Sequence, residues 1–169
     1  MTEKRRILSV VVALLGLLVA PSAASANLQL PSLASVNVPT APSVAISSQE
    51  LAIVRTVNAV RRAHGARPLG VGPALRRAAR AHSVDMARRG YFDHGPFEQR
   101  LRRFGVRSRV IGENLAYVSA SGFSAGVVVR MWLASPPHRA ILLDRSFSRI
   151  GIGVAGGTTR LVTADFAGN

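Results

Sequence analysis

Residues 106–139 read VRSRVIGENLAYVSASGFSAGVVVRMWLASPPHR, and the change of rhythm inside that stretch decides the fold. Val106–Val118 alternates, so Ile111, Glu113, Leu115 and Tyr117 share one face of a strand whose side chains repeat every second residue. Ser124–Leu133 switches to helical spacing and ends at Ser135-Pro136-Pro137, with His138–Leu143 as one further turn. Toward the N-terminus, Ser47 and Glu50 have the spacing of a capping box, which predicts a helix over 49–63 closed by Gly65. Gly72-Pro73 opens a second helix with an apolar stripe of Leu75, Ala78, Ala79, His82 and Met86, and Gly90 stops it. A short helix runs from Phe97 to Phe104 before Gly105. Toward the C-terminus, Arg149–Val154 and Leu161–Phe166 flank Gly156-Gly157, the pattern of a hairpin. There is no regular βαβ alternation, so the class is α+β.

A chain of 169 residues with 48% hydrophobic content is long enough for one domain with its own core. Cysteine is absent, which excludes disulfide staples, a thiol nucleophile and any cysteine-ligated metal. Basic residues number 22 against 8 acidic, a net charge of +14. Residues 1–26 combine a basic start (Lys4, Arg5, Arg6), an apolar run Ile7–Val19 and a small-residue end at Ala24-Ser25-Ala26, the three parts of a secretory signal peptide cut after Ala26. The apolar run falls short of the ~18 residues that span a bilayer. Residues 27–48 carry no charge and hold Pro31, Pro39 and Pro42, an extended spacer. The folded domain is therefore placed at 49–169. The mature chain, expected to be monomeric, keeps most of the positive charge. For an exported protein this excess points to anionic lipids or cell-wall polymers, not nucleic acid, as the partner. The expected location is extracellular or on the cell envelope.

The candidate chemistry is sparse. His64 lies at a helix end and His82 on the buried stripe of the second helix, both ordinary structural positions. His94 and His138 lie in segments bounded by glycine and proline, where functional residues concentrate. Glu113 sits on an apolar strand face, where a carboxylate needs a partner: either an arginine, which makes it structural, or a cleft, which makes it a ligand or proton acceptor. No G-x-S-x-G elbow supports a serine nucleophile.

The segments Val57–Arg61, Ala81–Met86, Tyr91-Phe92-Asp93-His94, Gly112-Glu113-Asn114-Leu115-Ala116, Met131–Arg139, Ile150–Val154 and Thr163–Phe166 together resemble the CAP superfamily (cysteine-rich secretory proteins, antigen 5, pathogenesis-related proteins), or SCP domains, in its bacterial branch. The resemblance implies an α-β-α sandwich with a small antiparallel sheet between helical layers. It implies a cleft lined by two histidines and two glutamates, mapping to His94, Glu113 and His138. The second glutamate falls on Ser135, a departure from the family pattern. Two functions follow as expectations. The first is an envelope-binding or lipid-binding module that holds a divalent metal such as Zn²⁺ on His94 and His138. The alternative is a metal-assisted, peptidase-like hydrolase with Glu113 as general base, so enzymatic activity stays open.

Overall fold

The structure, a computed structural model, describes residues 46–168 and the backbone of Arg6–Val10. Apart from Arg6–Val10 and the last residues of the spacer, the predicted signal peptide (1–26) and spacer (27–48) lie outside the described residues.

The described elements run β1 (Arg6–Val10), α1 (Ser48–Ala63), β2 (Gly70–Val71), α2 (Pro73–Arg89), α3 (Phe97–Arg103), β3 (Val110–Ser119), α4 (Ala125–Ala134), α5 (Pro136–Leu143), β4 (Phe147–Ala155) and β5 (Thr159–Gly168). The sheet order is β1-β3-β5-β4-β2. The central strands β3, β5 and β4 are antiparallel, as expected; the short outer strands β1 and β2 pair parallel, so the sheet as a whole is mixed. Strand β2 was not foreseen, because its two residues are too few to show a period.

Local signals account for most boundaries. The Ser47 hydroxyl accepts from Glu50 N, and Glu50 returns the bond to Ser47 N, so the capping box closes α1 at its start. Proline opens α2, and Gly90 ends it in the left-handed region at φ 68°. Pro136-Pro137, read from sequence as a stop, both ends α4 and starts α5: the first-turn positions of a helix need no N–H partner.

The sheet carries a core on each face. Ile53, Val54 and Val57 of α1, Val128, Val129 and Trp132 of α4, and Ile141 and Leu142 of α5 pack on Ile150, Val162 and Phe166. On the opposite face Leu75 and Ala78 of α2 and Phe97 and Leu101 of α3 pack with Ile111 and Ala167. The Trp132 indole N–H donates to Leu115 O at 2.9 Å, which ties α4 to β3.

Helix α2 lies closer to the sheet than side chains normally allow. A Cβ on Gly151 would stand 2.2 Å from the backbone of Leu75 and Arg76, and one on Gly153 would stand 2.4 Å from that of Ala79. Only glycine lets the helix rest directly on β4. Ser83 then reaches both Gly153 O (3.1 Å) and Thr163 Oγ1 (2.9 Å). With α2 drawn onto β4 and β5, the β3 end of this face is left to α3 and the loop from α2, and there the polar groups gather.

Arg61 does not contribute to the basic surface. It is fully buried in α1 and donates to the carbonyls of Arg67, Leu142 and Asp144 at 2.7–3.0 Å, an internal brace joining α1 to the loop that follows it and to the C-terminal end of α5. Burial holds its pKa below the usual arginine range, with Asp144 acting in the opposite sense.

Candidate functional site

Glu113 stands near the middle of β3, on the α2/α3 face and fully buried. Its two oxygens have different partners. Oε1 takes His94 Nδ1 at 2.6 Å, and Oε2 is paired with Arg100 Nη2. Arg100, projecting inward from α3, also donates Nη1 to His94 O at 3.2 Å and Nη2 to Asp165 Oδ1 at 3.2 Å. Asp165 is the residue of β5 directly opposite Glu113, and it too is fully buried. One guanidinium thus bridges two carboxylates and the backbone of the histidine.

The charges do not balance. Two ionised carboxylates against one guanidinium leave a buried negative charge, which is costly without a further proton or an imidazolium. Burial accordingly raises the pKa of Glu113 to about 7, against the opposing pull of Arg100. Asp165 is raised well above the usual range by burial first and by Glu113 second. The pair titrates as a unit.

The loop that delivers His94 is fastened at several points. The His82 ring is buried on α2, and its Nε2 lies 2.8 Å from Asp93 O. A carbonyl only accepts, so Nε2 carries the proton. Burial and the nearby Arg100 lower the His82 pKa to about 4, so the ring is neutral at pH 7. Asp93 Oδ1 accepts from Gly95 N at 2.6 Å, and Phe92 packs edge-on against Tyr117 at 5.1 Å. Asp85, three residues after His82, serves Tyr91 instead: the phenol donates to it at 2.6 Å.

His138 is buried on α5, and its carbonyl accepts from Asn114 Nδ2 at 3.0 Å. Asn114 follows Glu113 on β3 and points to the other face of the sheet. One strand therefore holds the His94 side chain through residue 113 and the His138 backbone through residue 114. Ser135, onto which the resemblance maps a second glutamate, is half-buried between α4 and α5, and its Oγ has no hydrogen-bond partner among the described residues. His64 is exposed at the end of α1, where its Nδ1 lies 2.9 Å from Val60 O, a helix-end role as expected.

Arg100 and Asp165 are the site residues that sequence reasoning missed. Arg100 was one arginine in a cluster, Arg100/Arg102/Arg103, with nothing to mark it as the inward one. Asp165 was visible only as part of Thr163–Phe166; the signal that could have found it is the strand pairing that sets it opposite Glu113.

Comparison with known proteins gives the family. The model of the CAP, cysteine-rich secretory protein, family matches residues 54–166. The chain is 33% identical over 123 residues to the uncharacterized protein YkwD of Bacillus subtilis (strain 168), covering 69% of this chain and 46% of that one. It is also 33% identical over 113 residues to the uncharacterized membrane protein YlbC of the same organism, covering 64% of this chain and 32% of that one. The chain thus spans less than half the length of these curated relatives. Among solved structures, an extracellular SCP-domain protein of Bacillus anthracis str. Ames matches with a TM-score of 0.63 and 29% identity, over 72% of this chain and 40% of that one. NaASP2, solved with Zn²⁺, shares the fold at a TM-score of 0.57 and 12% identity, over 74% of this chain and 82% of that one. The chain belongs to the CAP family.

The opposed shifts of Glu113 and His82 yield a pH test. Glu113 holds its proton up to about pH 7 when folded, whereas an unfolded glutamate loses it near 4.5, so this group makes stability fall as pH rises between those values. His82 binds a proton below about pH 4 when folded but below 6.5 when unfolded, so it makes stability rise across that window. Glu113→Gln should remove the falling contribution, and thermal melts should then gain stability from pH 4.5 to 6.5 relative to wild type. His82→Gln should do the reverse. The differential for either group is about 3 kcal/mol at most. Parallel pH profiles for wild type and both variants would contradict the assignment.

Proposed function

We propose that this protein is a secreted cell-envelope interaction module whose buried Glu113–His94–Arg100–Asp165 network builds a cleft for binding rather than for catalysis. The observation that carries this reading is the double engagement of Glu113. Both of its oxygens are held, one by His94 and one by Arg100, in a fully buried position. A general base needs a lone pair aimed at a reacting water or substrate; this carboxylate spends both oxygens on fixing its neighbours. The metal-assisted hydrolase is therefore the weaker reading.

The basic surface supplies the second half of the proposal. Arg77, Arg88 and Arg89 of α2 and Arg102, Arg103, Arg107 and Arg109 of and after α3 are exposed. They form a cationic surface suited to anionic lipid head groups or anionic wall polymers. Binding to vesicles containing phosphatidylglycerol should be strong at low salt and weaken steeply toward physiological ionic strength, where screening acts within ~8 Å. Salt-independent binding, or none, would remove the electrostatic part of the proposal.

A divalent metal fits the site only loosely. Among the described residues no group of three or more His, Asp or Glu side chains is arranged to hold an ion. With Glu113 ionised, the His94 proton sits on Nδ1 and the ligating nitrogen of the neutral ring is Nε2; His138, on α5 at the other face of the sheet, would have to reach the same ion around the β3 margin, with water completing the shell. Such a two-nitrogen site is weaker than the three-ligand set of catalytic zinc. Zinc titration should show one weak site, lost in His94→Ala and in His138→Ala and kept in His64→Ala. Retention in all three variants would sink the metal assignment.

A further inference from the structure

We propose that the outer edge of β3 is a strand-addition site for an extended polypeptide, bound parallel to β3 beside Glu113. Strand β3 pairs with β5 along one side, from Ile111 to Ser119. Its other side forms the margin of the domain sheet. At ten residues it is long for an edge strand.

Edges of this kind are normally blunted by proline, lysine, outward charge or a bulge. The sequence VIGENLAYVS has no proline and no lysine, and its register with β5 runs without a shift. Its one charged residue, Glu113, is turned onto the sheet face and held by His94 and Arg100. Nothing in β3 itself discourages another strand from pairing there.

The edge is in fact used. The backbone of Arg6–Val10 pairs parallel with it, setting Arg6 opposite Val110, Ser9 opposite Glu113 and Val10 opposite Asn114. This strand also packs against α5, the helix that carries His138. The slot between β3 and α5 thus accepts an extended main chain of defined polarity. The strand that fills it here belongs to the segment read as the export signal. If export removes residues 1–26, the secreted protein presents the same edge without that strand, and another polypeptide can take its place. A lipid chain cannot satisfy the N–H and C=O groups of an open strand, whereas a peptide backbone does so at every second residue. Main-chain bonds would supply affinity, and alternate side chains would supply selectivity. The proposal rests on removal of the N-terminal segment and is independent of metal binding and of surface charge.

The test uses the protein recovered from culture medium and a labelled peptide of residues 4–12, KRRILSVVV. A control peptide carries Leu8→Pro and Ser9→Pro, which keep its charge and remove two adjacent N–H groups, so that a ladder donor is lost whichever residues face β3. The first peptide should bind and slow amide exchange at residues 110–114 by about tenfold or more; the proline peptide should do neither. Equal binding of both peptides, or binding without protection of these amides, would overturn the proposal. Should N-terminal sequencing show that the exported chain still begins at Met1, Leu8→Pro/Ser9→Pro is made in the full chain. Exchange at residues 110–114 should then accelerate, and unchanged exchange would overturn the proposal. Failure of zinc or vesicle binding moves none of these readouts.

Discussion

Arg100 sits between two buried carboxylates, and the arrangement of the site follows from that constraint. Glu113 and Asp165 face each other across neighbouring strands, both without solvent access. Without a cation between them the sheet would bury like charges in contact. Removing one partner from such a cluster commonly costs about 3–5 kcal/mol, because the group left behind has neither water nor a counter-charge. Arg100 also donates to the His94 carbonyl, so the residue that neutralises the strands anchors the histidine loop as well. Stability and site geometry therefore share a single side chain.

The packing around the network explains why it lies at the β3 margin. Gly151 and Gly153 draw α2 tightly onto β4, and the Ser83–Thr163 hydrogen bond fixes its position along β5. On that face the β3 end is roofed by the short helix α3 and the loop from Gly90 to Pro96, which carry Arg100 and His94. On the other face Asn114 reaches the backbone of α5 beside His138. A single strand thus connects both helical layers to the candidate site, and its outer edge stays regular enough to pair with a further strand.

Much of this was legible in the sequence because the signals were local. The period-two run through Ile111, Glu113 and Leu115 correctly put these residues on one face of β3, and the capping box and Gly90 gave helix ends to within a residue or so. Glu113 stood out as a carboxylate on an apolar face, and the structure supplies the arginine weighed for it together with a histidine whose bond to it was not foreseen. What was hidden depended on pairing between distant segments. Asp165 acquires meaning only from its register with Glu113, and Arg100 differs from Arg102 and Arg103 only in the direction it faces. Arg61 was hidden for the same reason: its burial comes from carbonyls more than eighty residues further along the chain. The parallel edge strands were missed because pairs of a few residues leave no periodic trace.

The most direct measurement is the tautomer of His94, read from the ¹⁵N spectrum of its ring at pH 8.5, above the Glu113 pKa of about 7 so that the carboxylate is ionised, in the wild-type chain and in Arg100→Met. In the wild type the proton should reside on Nδ1, held by Glu113, with Nε2 unprotonated. In Arg100→Met, with Glu113 deprived of its cation, the His94 pKa should rise and the imidazolium form should extend to higher pH. A wild-type ring protonated on Nε2 alone, or a His94 titration indifferent to Arg100, would contradict the account of a site organised by the Arg100-bridged carboxylates.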